Sequence, residues 1–213
     1  MICLPLYNQV TGGYEVQKAA VPTGEDSELV PRIQRGDLAA FEALYEKYKG
    51  PVYRTALAIT RDQGAAQDIL QECFVRVYTH IDRVDIDRPL SPWIHRIAVN
   101  LSYNWGKKRK RWFPALGEVI EQFIGGHSDS PEHVLEREEL QHIVQEAVQS
   151  LSFAQRAVII LFHLNGFSLE EVAYILDCPV GTVKSRLYYG RQNLRRKLGA
   201  DKRLSVGLAY EFP

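Results

Sequence analysis

Apolar residues recur every three or four positions from about residue 27 to Leu198, which is the period of an α-helix. No stretch alternates apolar and polar residues with the period of a β-strand. Residues 1–26 mix Gly, Pro and polar residues without periodicity, which is typical of a flexible lead-in. The pattern therefore predicts an all-α protein whose helices begin at about residue 27.

Turn-forming residues divide the first helical stretch into segments. Breaks are predicted at three places: Gly36-Asp37, Gly50-Pro51 and Asp62-Gln63-Gly64. Asp37 can also cap the helix that follows it. Residues 65–81 form the clearest amphipathic helix, whose apolar stripe consists of Leu70, Cys73, Phe74, Val77 and Ile81. Away from this stripe lie Asp68, Gln71, Glu72 and Val75.

The next helix carries a run of positive charge. A polar loop, Asp82 to Arg88, precedes a helix that starts near Trp93 and continues into the cations at 107–111. Further on, Gly, Pro and Ser residues mark a linker before helical periodicity returns. The predicted organisation has five parts: a lead-in (1–26), a helical domain (27–112), a flexible acidic linker (113–131), a second small helical domain (132–198) and a tail (199–213).

The segment 167–198 has the pattern of a helix-turn-helix. Ser168 and Glu171 form a capping box that opens a short helix. Asp177-Cys178-Pro179 ends that helix after about two turns, and a second helix starts near Val180. The apolar positions of the second helix are spaced to pack against the first helix: Val183, Leu187, Leu194 and Leu198.

The opposite face of this second helix is polar and basic. From Cys178 to Ala200 there are six bases and no acid. Long cations can neutralise phosphates, while short polar and amide side chains can read base edges in a major groove. A merely solvated cationic face has a similar composition, but the capped partner helix and the tight turn favour DNA binding. The candidate contacts are Thr182, Lys184, Ser185, Arg186, Tyr188, Arg191 and Gln192.

The overall charge hides a strong asymmetry. The chain has 26 Lys+Arg and 26 Asp+Glu, and a net charge of zero by itself argues against a nucleic-acid partner. However, residues 107–111 carry a net charge of +5, residues 112–149 carry −7, and residues 178–213 carry +6. Two basic zones thus flank an acidic stretch, which is informative about partners. The first zone continues an aromatic and amide-rich helix that suits unpaired bases, although a solvated helix end has the same composition.

Composition excludes several classes of protein. Hydrophobic content of 46% and charged content of 24% exclude wholesale disorder, a collagen-like repeat and a disulfide scaffold. Cys3, Cys73 and Cys178 have no CxxC spacing, and the histidines form no metal motif, so no metal or cofactor site is predicted. Nor do the residues form a catalytic constellation, so no enzymatic activity is expected. The scattered cysteines fit reduced thiols, and no signal peptide is visible, so we expect a cytoplasmic protein. The longest apolar runs are too short to cross a bilayer, so no membrane insertion is expected.

Short motifs along the chain occur in an order that is similar to one protein family. They are Gly36-Asp37-x-x-Ala40-Phe41-x-x-Leu44-Tyr45, Asp68–Phe74 with the pattern D-x-x-Q-E-x-F, Pro92–Asn100, Phe167–Ala173 and Pro179–Leu187. In this order and spacing they resemble the bacterial RNA polymerase sigma factors of the sigma-70 family, in the extracytoplasmic-function (ECF) group. The resemblance covers roughly residues 28–198. It implies a non-catalytic specificity subunit that directs promoter-specific transcription initiation.

The resemblance also implies a partner for each surface. RNA polymerase core, through the clamp helices of its largest subunit and its flap, would bind this chain, with the clamp contacts at Asp68, Gln71, Glu72 and Val75. The promoter −10 element would be recognised and melted by Trp93, Arg96, Asn100, Tyr103, Asn104, Lys107, Lys108 and Arg109. The helix-turn-helix residues given above would read the −35 element as duplex DNA. Factors of this group are commonly held by an anti-sigma factor, which is a further candidate partner.

One part of the helix-turn-helix departs from the family pattern. Tyr189-Gly190-Arg191 stands where the family often has Arg-Ala-Arg, so a cation is missing. The glycine lies in the middle of the predicted helix, where it lowers helix stability by up to about 1 kcal/mol relative to alanine.

A stand-alone helix-turn-helix regulator is the alternative function. It would account for residues 168–198 but not for the motif at Asp68–Phe74.

Overall fold

The computed structural model describes residues 24–85, 88–112 and 143–199. Within these ranges every regular element is a helix and no strand occurs, which confirms the all-α prediction. The predicted lead-in, linker and tail lie outside the described residues, apart from residues 24–26 and Gly199. The start predicted for the second domain, at residue 132, also lies outside them.

Residues 24–112 form what we call the first helical unit. Its elements are α1 (Gly24–Gln34), α2 (Leu38–Thr60), α3 (Gln63–His80), a 3-10 turn (Ile81–Arg83) and α4 (Leu90–Trp112). Helices α2, α3 and α4 pack against one another around a core that includes the fully buried Leu44, Val52, Cys73, Val77 and Ile94. The apolar stripe predicted for α3 therefore faces this core, with Leu70 at its partly buried edge.

A side chain fixes the start of α2. The Asp37 carboxylate accepts hydrogen bonds from the amides of Ala39 and Ala40, at 3.0 and 3.1 Å, as the sequence predicts for a cap. Arg32 also donates to this carboxylate at 2.9 Å. That bond is the largest cause of the lowered pKa of Asp37. The glycine-aspartate break between α1 and α2 is thus confirmed.

Helix α2 continues without interruption across Gly50-Pro51, where the sequence predicts a break. That prediction is wrong, because buried side chains recur at helical spacing across the proline, from Tyr48 to Val52 and Ala56. Their burial offsets the loss of one helix hydrogen bond at proline, which costs about 3 kcal/mol or more. The Thr55 hydroxyl also donates to the Pro51 carbonyl oxygen at 2.9 Å.

Three helices begin earlier than the sequence pattern suggests. Helix α1 already includes Gly24 and Asp26, and the buried Asp26 carboxylate accepts a 2.6 Å hydrogen bond from the Tyr48 hydroxyl of α2. Asp62 caps α3, so the residues after it in the predicted turn belong to that helix. Helix α4 begins at Leu90 rather than near Trp93. Its early proline is tolerated because the first helical turn needs no amide donor there.

Residues 143–199 form the second helical unit. Its elements are residues 143–149 (α5), α6 (Phe153–Ile159), a π-helical stretch (Ile160–Leu164), α7 (Leu169–Leu176) and α8 (Val180–Leu198). The hydrophobic pattern gives no sign of the π-helical stretch, whose wider turn accommodates an extra residue. One predicted contact is wrong, because Leu198 packs against Val144 and Ala147 of α5 instead of the first helix of the helix-turn-helix.

The two helical units pack against each other. Ile59 of α2 and Val99 of α4 belong to the same buried cluster as Val158 and Phe167 of the second unit. Sequence periodicity marks these positions as apolar but cannot show which unit covers them. Among the described residues, no helix combines the length and the apolar character that crossing a membrane requires.

Candidate nucleic-acid interface

The predicted helix-turn-helix is present as α7, a tight turn and α8. The Ser168 hydroxyl accepts from the amide of Glu171 at 3.1 Å, and the Glu171 carboxylate accepts from the amide of Ser168 at 2.8 Å. These two bonds complete the predicted capping box. Val183 and Leu187 are buried in the core that α7 shares. Their burial directs the opposite face of α8 toward solvent.

Four of the seven predicted duplex contacts are exposed on α8. They are Lys184, Ser185, Tyr188 and Gln192. Thr182 is half-buried in the first turn of the helix. The exposed face thus combines an ammonium, a hydroxyl, an aromatic ring and an amide, which together can contact phosphates and base edges.

The other two predicted contacts, Arg186 and Arg191, are half-buried against their own unit. Arg186 donates a hydrogen bond to Cys178 Sγ at 3.5 Å. Arg191 donates from Nε to Nε2 of His163 at 3.2 Å, and its guanidinium lies 5.5 Å from the centre of the Phe162 ring. Burial, reinforced by Arg191, lowers the pKa of His163 to about 4. Arg191 is therefore directed toward the body of the unit and away from the exposed face.

Gly190 lies where α8 crosses α6. A Cβ atom at this position would lie 3.1 Å from Cγ1 of Ile159, closer than side chains normally pack. The sequence suggests only a cost in helix stability at Gly190. The close approach of the two helices supplies a reason for the glycine, because a Cβ atom would require the Ile159 side chain to shift by a few tenths of an ångström.

Helix α4 carries the residues predicted to contact the −10 element. Those that are exposed are Asn100, Tyr103, Asn104, Lys107 and Lys108. The Lys107 ammonium lies 4.3 Å from the centre of the Tyr103 ring. Trp93 is half-buried and packs against the core of the first unit, and Arg96 is also half-buried. The side chain of Arg109 lies outside the described residues.

The second unit contacts part of this α4 surface. Arg96 Nη1 donates to the Tyr174 carbonyl oxygen at 2.9 Å, and Arg96 Nη2 lies 3.1 Å from the Asp177 carboxylate. The Arg96 guanidinium also lies 5.1 Å from the centre of the Tyr174 ring. Farther along α4, the Tyr103 and Phe153 rings have their centres 4.8 Å apart. Two predicted −10 contacts are therefore already engaged by the second unit.

Buried polar side chains also contact one another where the two helical units pack together, and the sequence pattern does not predict these contacts. His95 is completely buried, and its Nδ1 lies 2.8 Å from the Ser91 carbonyl oxygen, so Nδ1 must donate. His95 Nε2 can then accept from Nδ2 of Asn165, 3.5 Å away in the second unit. Asn165 Nδ2 also donates to the Thr55 hydroxyl at 3.0 Å. Burial lowers the pKa of His95 to about 4, so the ring is neutral near pH 7.

An arginine that the sequence analysis does not single out joins the two units as well. Arg156 of α6 donates to the Ile59 carbonyl oxygen, at the end of α2, at 3.0 Å. Its other terminal nitrogen donates to the carbonyl oxygens of Gln149 and Leu151, at 2.9 and 3.1 Å. Only the three-dimensional structure brings these carbonyl groups together, since they come from separate parts of the chain.

The third predicted surface lies on α3. Asp68, Gln71, Glu72 and Val75 are all exposed, as their position off the apolar stripe predicts. Glu72 pairs with Arg76 at 2.8 Å. Val75 is 59% exposed, so this face combines carboxylates and an amide with an apolar side chain. Such a mixture suits a protein partner better than DNA, whose phosphates repel carboxylates.

Two family models match successive parts of this chain. The family model described as sigma-70 region 2 matches residues 44–112, and that described as sigma-70 region 4 matches residues 141–194. The RNA polymerase sigma-H factor of Pseudomonas aeruginosa is 33% identical over 181 residues, covering 82% of this chain and 94% of that protein. The ECF RNA polymerase sigma factor SigW of Bacillus subtilis is 34% identical over 176 residues, covering 79% and 94%.

Solved structures show the same fold. The structure of CnrH in complex with the cytosolic domain of CnrY has a TM-score of 0.63 and 23% identity, covering 84% of this chain and 99% of that chain. The sigma factor RpoE in complex with the anti-sigma factor NepR, from Bartonella quintana, has a TM-score of 0.58 and 25% identity, covering 76% and 98%. Both similarities extend across most of the chain.

Proposed function

The chain belongs to the extracytoplasmic-function (ECF) group of RNA polymerase sigma factors, and from that membership we propose which of its surfaces meets each partner. As a sigma factor it binds RNA polymerase core and promoter DNA and directs transcription initiation at specific promoters. In this role it is a specificity subunit, and the polymerase supplies the chemistry.

The order of regions 2 and 4 in one chain is the observation that carries this function. Region 2 matches residues 44–112 and contains both the α3 face and the α4 face. Region 4 matches residues 141–194 and contains the helix-turn-helix except for the last turn of α8. A stand-alone helix-turn-helix regulator does not require region 2, so that alternative is not favoured.

The exposed face of α3 is the proposed contact with the polymerase clamp helices. Asp68, Gln71 and Glu72 provide polar and charged groups, and Val75 provides apolar area that water otherwise covers. Burying an exposed aliphatic side chain against a partner is favourable. The acidic groups at the same time discourage DNA from occupying this face.

The two proposed DNA surfaces, on α4 and α8, bind different promoter elements. The exposed amide, aromatic and cationic groups of α4 are proposed to hold the −10 element once its strands separate, because unpaired bases offer both faces and edges. The exposed face of α8 is proposed to read the −35 element as duplex, because a helix fits the major groove. An anti-sigma factor is a further proposed partner, supported by the RpoE complex with NepR.

Run-off transcription tests the function directly. Core polymerase is combined with this chain and a genomic promoter library, and the transcript starts are mapped by sequencing. We expect starts that depend on the chain and that share two conserved elements at fixed spacing, with none of them from core polymerase alone. A chain that neither co-purifies with core polymerase nor changes its start sites would contradict the sigma-factor function.

A further inference from the structure

Two adjacent tyrosines are exposed on α8. Tyr188 is 59% exposed and Tyr189 is 60% exposed. Their rings meet edge to face, with centres 5.4 Å apart and planes at 78°. Tyr189 is not among the predicted DNA contacts, yet it is as accessible as Tyr188, which is.

The positive charge next to this pair is turned away from the exposed face. Arg191 donates to His163 at 3.2 Å and lies over the Phe162 ring. Gly190 has no side chain and packs against Ile159. The middle of α8 therefore exposes the two tyrosine rings, whereas the guanidinium of Arg191 is directed into the second helical unit.

An apolar ring in a major groove has one well-suited partner. Bases inside a duplex are stacked on one another, so their faces are not available to a side chain, whereas the C5-methyl group of thymine projects into the groove. Contact between this methyl group and an apolar side chain removes both from water. Neither cytosine nor a purine offers an equivalent group in the groove.

We infer that Tyr188 and Tyr189 form an apolar edge that contacts thymine methyl groups in the −35 element. Ser185 precedes Tyr189 by about one helical turn, or about 5.4 Å, so the methyl contact would adjoin the base contact proposed for Ser185. The inference rests on the proposed use of α8 at the −35 duplex. It assigns Tyr189 a role in specificity that depends on shape and apolar contact instead of charge.

Replacing thymine by uracil tests the inference, since the two bases differ only in the methyl group. The −35 duplex is first selected by the wild-type holoenzyme from a pool randomised over that region. Uracil is then placed at one thymine at a time, and holoenzyme binding is measured by competition. We expect uracil to weaken binding by roughly two- to fivefold at one or two positions, the range expected for one lost methyl contact.

Three variants of the full chain assign this effect to the ring. Tyr189→Ala should lose the uracil sensitivity at one of those positions, while Tyr189→Phe should keep it because the ring remains. Lys184→Ala serves as the matched control: it should weaken binding to thymine and uracil duplexes equally. Since Tyr189 is exposed, thermal unfolding of its variants should resemble that of the wild type.

The inference is overturned if the selected element lacks thymine, if no uracil substitution weakens binding, or if Tyr189→Ala retains the wild-type sensitivity. It is also overturned if Tyr189→Ala lowers association with core polymerase but leaves the uracil sensitivity unchanged, because the pair would then face a protein such as the flap. Lys184→Ala separates this inference from the function on which it rests. If Lys184→Ala leaves −35 binding unchanged, the proposed use of α8 itself fails.

Discussion

Arg96 donates a hydrogen bond to the carbonyl oxygen of Tyr174, 2.9 Å away, across the boundary between the two helical units. The Asp177 carboxylate lies 3.1 Å from the same guanidinium. Arg96 is also one of the residues predicted to contact the −10 element. If Arg96 contacts the −10 strand as predicted, the second unit and that strand compete for the same guanidinium.

Weakening this contact should therefore favour the DNA strand. Asp177→Asn removes the charge but keeps a residue that tolerates the left-handed backbone at this position, where φ is 51°. Because the Asp177 side chain is 82% exposed and Arg96 is partly exposed, their pair is worth at most about 1 kcal/mol. The variant should bind a single-stranded −10 oligonucleotide about twofold more tightly, as measured by fluorescence anisotropy with the full chain.

Glu170→Gln is the matched control for this change. It removes one negative charge from α7, the helix whose C-terminal cap is Asp177, at an exposed position. It should raise the affinity less than Asp177→Asn does. Equal affinities for the two variants would mean that the overall charge, and not the release of Arg96, determines binding.

Protonation of His95 should destabilise the fold. Burial lowers the pKa of His95 from 6.5 to about 4, and Arg54 contributes in the same direction. Between pH 4 and pH 6.5 the His95 side chain is protonated in the unfolded chain but not in the folded chain. The free energy of unfolding is therefore at its full value above pH 6.5 and decreases as the pH drops toward 4. A shift of this size corresponds to about 3 kcal/mol at most. Urea unfolding measured at several pH values checks the slope.

His95→Gln should reduce this slope, because glutamine does not titrate. His163 lies in the same pH window, since its pKa is also about 4, and His163→Gln should therefore remove a separate part of the slope. The double variant should lose both contributions. A His95→Gln chain with the wild-type pH dependence would show that this side chain is not the group responsible.

Local chemistry could be predicted from the sequence where the determining residues are close together along the chain. Asp37 and Ser168 act as caps because their side chains reach amides two or three residues away. The break at Gly50-Pro51 was not correctly predicted, because distant helices determine whether the proline is tolerated. Leu198 likewise shows the limit of periodicity, which identifies a buried face but not the helix that covers it.

The candidate site shows the same division. The exposure of Lys184 follows from helix geometry once the buried side of α8 is identified. The direction of Arg191 does not follow, because His163 and Phe162 reach it from the π-helical stretch. Contacts between the two units depend on residues far apart in sequence, such as Arg96 and Asp177, so no local pattern predicts them.

Gly190 should be intolerant of larger side chains. Gly190→Leu places a large side chain where even a Cβ would lie 3.1 Å from Cγ1 of Ile159, so Ile159 or the two helices must shift. Overpacking of this kind costs about 1–3 kcal/mol. Gly181→Leu is the control, because no atom of the described residues, apart from the neighbouring helix backbone, lies within 4 Å of a Cβ there. Urea unfolding should show destabilisation for the first variant only, and equal stabilities would remove the packing explanation.

Lys184 should contribute to −35 binding through a phosphate. Lys184→Ala should lower the slope of log affinity against log salt concentration by about one unit, since one fewer counterion is released. Lys49→Ala removes the same charge from α2, where Lys49 pairs with Glu46 at 2.6 Å, and should leave the slope unchanged. Titrations of the holoenzyme with −35 duplex at several salt concentrations measure both. An identical slope for wild type and Lys184→Ala would exclude a phosphate contact at this position.

The α3 face should matter for polymerase association and not for DNA recognition. Gln71 and Glu72 are exposed, and Glu72 pairs with Arg76, which is also exposed, so replacing Gln71 and Glu72 by alanine should leave the fold intact. If these side chains lie within the clamp interface, their loss should weaken association with core polymerase roughly tenfold, as central interface contacts do. Glu28→Ala, a substitution at an exposed position of α1, controls for the loss of charge.

Surface plasmon resonance with immobilised core polymerase measures the association of these variants, and binding of the free chain to −35 duplex serves as the second readout. Loss of both activities together would indicate misfolding, whereas wild-type association with intact DNA binding would place the polymerase contact elsewhere on the chain.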